Sequence, residues 1–209
     1  MSPNVILLDA AYLDRVAAAF RQHFGAELHR ELPKADLAQW LVCTALDAGF
    51  EGPEADVQCI LIHDREVKVM GHVAPGNFSQ ELDGQAFAEP GLGEFTLACC
   101  PVERVTTLED LCAESLEALL EDKAVRRIAV VYDFDGTTAE SRTLTKRIAN
   151  VCRKHAEACA KSADSDEPLT AKDITLFTMQ PLEGEGFAQQ ILGYGLVAAL
   201  GIAGDELQA

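Results

Sequence analysis

Two short apolar runs, Val5-Ile-Leu-Leu8 and Arg127-Ile-Ala-Val-Val-Tyr132, each stop on an aspartate, Asp9 and Asp133. A strand with one wet face alternates apolar and polar residues. A nearly unbroken run of Val, Ile and Leu signals burial on both faces, as in a parallel sheet covered by helices on each side. Val57–Ile62, Glu94–Cys99 and Ile174–Thr178 also have strand character. Between these segments lie helical stripes. Leu13, Val16, Ala17, Phe20 and Phe24 share one face, as do Leu37, Trp40, Leu41 and Thr44 within 35–48. Thr106 followed by Glu109 makes a capping-box signature for a helix over 107–122, with Leu108, Leu111, Cys112, Leu116 and Leu119 on its core side. Leu144, Ile148, Val151, Cys152, His155 and Cys159 line another helix. Residues 186–202 read as a last helix, weakened by Gly193 and Gly195. The stretch 68–93 reads as a loop-rich connection with a short helix near 78–87, and 162–168 as a mobile polar loop. The alternation predicts a single α/β domain over 1–209: a three-layer α/β/α sandwich around a mostly parallel five-stranded sheet.

Charge bounds the partners. The 209 residues carry 17 Lys and Arg against 34 Asp and Glu, a net charge of −17. Nucleic-acid affinity comes largely from basic side chains neutralising phosphates, so this field disfavours RNA and gives no signal for DNA. The densest basic stretch, Arg142, Lys146, Arg147, Arg153, Lys154 and Lys161, reads as a solvated helix face. No apolar run approaches the ~20 residues of a membrane span. Met1 to Leu8 lacks the basic start of a secretion signal, and the seven cysteines have no regular spacing. These features predict a cytoplasmic chain with reduced thiols.

In open α/β sheets, ligands bind beyond the carboxyl ends of the strands, where strand order reverses. Asp9 ends the first strand, and Asp133 and Asp135 follow the fourth in Tyr132-Asp-Phe-Asp-Gly136. Asp110, with Glu109, opens the helix after the third. Carboxylates gathered there repel one another and are most stable around a hard cation such as Mg²⁺ or Mn²⁺. Each acid also has a plain structural role. Asp9 can cap the next helix, Glu109 can complete the capping box, Asp110 can complement the helix dipole, and Asp133 with Asp135 can form an Asx turn at Gly136.

The pattern of Val5–Asp9, Glu109/Asp110 at a helix start and Val130-Val-Tyr-Asp-Phe-Asp135 resembles the NYN branch of the PIN-like ribonucleases, over roughly residues 4–180. The resemblance implies that the first and fourth strands are neighbours. It also implies a Mg²⁺ or Mn²⁺ site with Asp9, Asp133 and Asp135 as ligands, Asp110 beside them, and hydrolysis of RNA phosphodiesters. Tyr12 stands where such domains usually carry Asn. The chain also resembles a small uncharacterised bacterial family in Pro33–Trp40, Glu81–Gly84 and Gln190–Tyr194, which implies no activity.

Two other readings compete. Asp133-Phe-Asp-Gly-Thr-Thr138 resembles the first motif of haloacid-dehalogenase-like phosphatases. That likeness implies Asp133 as nucleophile, Asp135 as general acid/base and Thr178 as a phosphate-binding hydroxyl. The family's lysine is missing, since none follows Thr178. Alternatively, the domain is a non-catalytic interaction module or homodimer, with the apolar 186–202 segment buried in its own core or against a second copy. Cys152, His155 and Cys159 share one helical stripe. They are candidate Zn²⁺ ligands, although their apolar neighbours favour core packing. Cys99-Cys100 lacks the spacing of a redox motif, His63-Asp64 has no accompanying nucleophile signal, and no phosphate-cradling glycine loop is present.

Overall fold

The computed structural model of the chain describes residues 2–52, 55–103, 106–179 and 181–208. β1 (Asn4–Asp9) is buried along its whole length, which is why it reads as a continuous apolar run. It leads into α1 (Ala10–Glu27), then β2 (Ala35–Asp36), α2 (Leu37–Asp47) and β3 (Val57–His63). β4 (Val73–Ala74) pairs with β2 in a small separate ladder. A π-helical turn, Phe78–Leu82, precedes β5 (Ala86–Glu89) and β6 (Gly93–Pro101). The rest of the chain forms α3 (Leu108–Glu121), β7 (Arg127–Val131), α4 (Ala139–Ser162), β8 (Asp173–Thr178), β9 (Ala188–Ile191), α5 (Tyr194–Ala199) and a final 3₁₀ turn, Glu206–Gln208. No helix among the described residues is long and apolar enough to cross a membrane.

The main sheet has seven strands, not five, in the order β5-β6-β3-β1-β7-β8-β9. The five strands expected from the sequence form its contiguous, all-parallel centre. The additional strands lie at the two edges, β5 antiparallel to β6 and β9 parallel to β8. Side chains alternate across the sheet and build two cores. Ile6, Leu8, Ala129, Val131 and Phe177 pack with α1, α2 and α5. Val5, Leu7, Ile128, Val130 and Leu176 pack with α3 and α4 on the other face.

Three expected elements differ. The segment 186–202 is not one helix: its first part pairs with β8 as β9, and only Tyr194–Ala199 is helical. Gly195 lets α5 lie close on α2, because a Cβ there would stand 2.8 Å from the Cβ of Cys43. Leu192, Leu196, Val197, Leu200 and Ile202 are all buried in the first core, so this segment packs within its own chain. The short helix near 78–87 is the π-helical turn followed by an edge strand. Finally, the cap of α3 is Thr107, which accepts from the Asp110 backbone N–H at 3.0 Å, one residue later than the Thr106–Glu109 signature.

Candidate functional site

The chain runs from β1 outward through β3 to β6, then returns to place β7 on the other side of β1 and continues to β8 and β9. Strand order therefore reverses between β1 and β7, the place where open α/β sheets bind ligands. Leu8 is level with Val131, so Asp9 and the segment Tyr132–Asp133 leave the sheet side by side on the carboxyl rim. On the outer neighbours, β8 places Thr178 next along this rim and β3 places His63 there.

The rim's three aspartates follow one pattern. Oδ1 of Asp9 accepts from the N–H groups of Ala11, at 2.9 Å, and Tyr12, at 3.2 Å, capping α1. Oδ1 of Asp133 accepts from Asp135 N at 3.2 Å. Oδ1 of Asp135 accepts from the N–H and hydroxyl of Thr137, both at 2.8 Å, and from Ser141 Oγ at 3.4 Å. Each acid thus fixes a turn with one oxygen, and among the described residues no backbone N–H donates to the other. Oδ2 of Asp133 holds the Arg15 guanidinium, which lies over the Tyr12 ring at 5.3 Å. Arg142 closes the 133–138 turn by donating to the Gly136 carbonyl at 2.8 Å.

Burial dominates the electrostatics. Asp9 is only 6% exposed, and desolvation raises its pKa to about 6 against the pull of its two N–H donors and Arg15. Asp133 is also raised, by burial and then by its hydrogen bond with Asp135. Burial opposes ionisation of Asp135 too. There it is outweighed by the donors of Thr137, so the Asp135 pKa is lowered. Asp135 is therefore the established anion of the pair, and Asp133 the one that keeps a proton longer. The Tyr12 hydroxyl lies buried beside these acids with no hydrogen-bond partner among the described residues. Burial and the charges of Asp133 and Asp135 push its pKa up, so it stays a protonated donor.

Asp110 is employed elsewhere. Its carboxylate pairs with Arg147, which holds its pKa down, and with the Thr107 cap. Thr178 is fully buried at the end of β8. Cys152 is buried in the second core, while His155 Nε2 and Cys159 Sγ touch at 3.5 Å farther along α4. Among the described residues, no three His, Cys, Asp or Glu side chains are grouped closely enough to hold a metal ion between them. On the α4 face expected to be solvated, Arg142, Arg147 and Arg153 are each engaged by groups of the chain itself.

Sequence reasoning missed Arg15 and the orphaned Tyr12 hydroxyl as parts of the site. Their signal was helical geometry: Asp9 caps α1, and Tyr12 and Arg15 follow it at steps of three, on the same side of the helix. Two larger cavities, of about 540 and 580 Å³, open near the amino ends of β7 and β8 beside His155 and Lys172. They lie away from the acids and the strand-order reversal, so the carboxyl rim is the stronger candidate.

No curated protein and no solved structure matches the chain. A family model does: it spans residues 1–207 and is described as a family of unknown function, DUF6621, and the chain belongs to that family.

Proposed function

We propose that the carboxyl rim is a phosphodiester-hydrolysing site of the NYN/PIN-like kind, acting on RNA with Mg²⁺ or Mn²⁺. The observation that carries this reading is the emergence of Asp9 and Asp133 side by side where strand order reverses, each with one oxygen not used by its turn. Mg²⁺ is usually held by one or two carboxylates, with waters and substrate phosphates completing its shell, rather than by a dedicated protein cage. Two carboxylates whose ionisation is opposed by burial, beside a buried phenol lacking an acceptor, suit such a hydrated ion. Asp9 and Asp133 would hold it, with Asp135 fixing the turn that presents Asp133. The ion would supply charge neutralisation for the phosphate and acidify a bound water.

The chain's own residues supply the rest. Arg15 is 58% exposed in its ion pair, so little free energy holds it on Asp133 and it is available to a phosphate oxygen. The Tyr12 hydroxyl is a donor awaiting an acceptor.

The test is cleavage of single-stranded RNA with and without Mn²⁺ or Mg²⁺, in the native chain and in Asp133→Asn. Ion-dependent cleavage lost in the variant supports the reading; cleavage indifferent to either change overturns it. One observation favours a second reading: Thr178 and Asp133 leave adjacent strands on the same rim, as a phosphatase of the haloacid-dehalogenase kind would need. Hydrolysis of a phosphate monoester with a trapped phosphoryl group on Asp133 would replace the nuclease reading with that one. Absence of both activities, with a stable complex of defined mass, would favour an interaction module.

A further inference from the structure

Beside the acidic rim a cavity of about 350 Å³ opens between α1 and the 63–78 segment. This volume lies in the usual range for small-molecule sites, about 300–1,000 Å³. Val67 and Val69, which line it, are 42% and 49% exposed, and Met70 is buried behind them. Exposed apolar side chains lining a concave surface are unusual for a solvated loop and mark a place where something apolar is covered. The imidazole of His63 and the ring of Phe78 also line the cavity and stack on each other, with centroids 4.0 Å apart and planes 4° from parallel.

The wall is tied to the fold. The His72 N–H donates to Asp14 Oδ1 at 2.6 Å, its ring meets Arg21 at 3.0 Å, and its carbonyl accepts from Ala35 N at 2.9 Å. The cavity is therefore preformed. It is also joined to the acids, because Arg15 lines it while pairing with Asp133.

Its polar groups define what fits. The Asp14 and Asp64 carboxylates in its lining accept from the backbone N–H groups of His72 and Glu66, which leaves His63 and Arg15 for a ligand. His63 is 8% exposed, and its Nδ1 lies 2.9 Å from the Asp64 carbonyl oxygen, an arrangement that places the proton on Nδ1. In that tautomer Nε2 carries the lone pair, and no group among the described residues donates to it. A flat ring with an amino donor, flanked by aliphatic side chains and attached to a phosphate near Arg15, satisfies these features together.

We infer that this cavity holds one nucleobase of a single-stranded RNA, of the amino-bearing kind, next to the phosphate engaged at the Asp9–Asp133 rim. The inference rests on the reading of that rim as a phosphodiester site. Bases of single strands are free to splay out and stack on protein rings, unlike those of a duplex.

The test uses nucleotide-sized probes and the full chain. Binding of AMP, UMP and ribose 5-phosphate is measured by calorimetry and by chemical-shift changes of the His63 ring. AMP is expected to bind about tenfold or more tighter than ribose 5-phosphate, and tighter than UMP, while shifting the His63 signals. The double variant Val67→Ser/Val69→Ser changes exposed positions and leaves the core intact. It is expected to remove the advantage of AMP over ribose 5-phosphate, whereas Arg15→Ala weakens both ligands. Equal affinity for AMP and ribose 5-phosphate, no binding of either, or an AMP advantage that survives the double variant would overturn the assignment. Hydrolysis of bis(p-nitrophenyl) phosphate, which has no base, tests the rim separately. AMP binding without that hydrolysis would remove the nuclease reading and leave the ring site standing. Hydrolysis without AMP binding would do the reverse.

Discussion

Replacing Asp9 with asparagine separates its two roles, cap and buried charge. Asparagine caps helices about as well as aspartate, so Oδ1 would still accept from Ala11 and Tyr12. Only the charge is lost. Burial raises the Asp9 pKa from an ordinary 3.8 to about 6 in the fold. The folded chain therefore binds the Asp9 proton more tightly than the unfolded one. The stability linked to that proton is fully present below pH 3.8 and disappears as the pH rises through about 6. At about 1.4 kcal/mol for each pH unit, the native carboxylate costs the fold about 3 kcal/mol above this window. That figure is already net of the pull of the helix N–H groups on the anion. Asp9→Asn should then be about 3 kcal/mol more stable than the native chain at pH 8 and nearly equal to it at pH 4. In thermal unfolding this is about 6–12 °C for a chain of this size. Urea titrations followed by circular dichroism at several pH values give the difference directly. A difference that stays flat across the range, or an asparagine variant less stable at pH 8, would show that burial does not dominate this carboxylate.

Four further outcomes are expected. Tyr12→Phe removes a buried hydroxyl that has no partner, so the ion-free chain should gain about 1–3 kcal/mol in urea unfolding; a loss would mean that the hydroxyl is satisfied in solution. Gly93→Ala should destabilise by about 1–2 kcal/mol or more by the same measurement. Its φ is +81°, and the new Cβ would stand 2.5 Å from the Asp56 carboxylate that binds Glu94 N; an unchanged midpoint would contradict this. Asp110→Asn should leave Mn²⁺ affinity unchanged in calorimetry, because that carboxylate is tied to Arg147 and the α3 cap, and a loss like that of Asp133→Asn would return it to the site. Arg15→Gln should tighten Mn²⁺ binding by no more than about fivefold, the worth of an exposed ion pair that competes for Asp133, and weaker binding would show that Arg15 helps rather than competes.

β1 and β7 were the most legible strands because both of their faces are buried, which writes a continuous apolar run into the residues. The edge strands were not. β5 is Ala-Phe-Ala-Glu and β9 is Ala-Gln-Gln-Ile, four residues each, partly exposed and paired on one side only. Neither length nor composition separates such segments from loop. β9 was further concealed inside 186–202, where apolar residues that belong to two elements mimic one helical stripe. At α3 the cap moved by a single residue, since both Thr106 and Thr107 have an acid three positions later. Such ends are the least determined part of a helix signal.

Partners set by the tertiary fold were hidden in the same way. The two apolar runs and their last residues point to buried parallel strands ending in aspartates; it is the pairing of β1 with β7, Leu8 level with Val131, that brings Asp9 and Asp133 to one rim. The cation lying on Asp133 comes from Arg15, 118 positions away, and nothing near Asp133 in sequence announces it. Its presence changes what the acids mean. Burial opposes the ionisation of both acids, and Arg15 offsets that only in part, so both pKa values stay raised with the guanidinium in place. An exposed guanidinium is a weak counter-ion, and a divalent cation is a strong one. The rim therefore responds to a cation with a proton as well as with affinity. Binding should release about half a proton from Asp9 at pH 6, more as the pH falls below that, and hardly any by pH 8. Calorimetry of Mn²⁺ binding in two buffers of different ionisation enthalpy measures that release. A proton count that does not vary with pH would mean that the ion binds without touching Asp9.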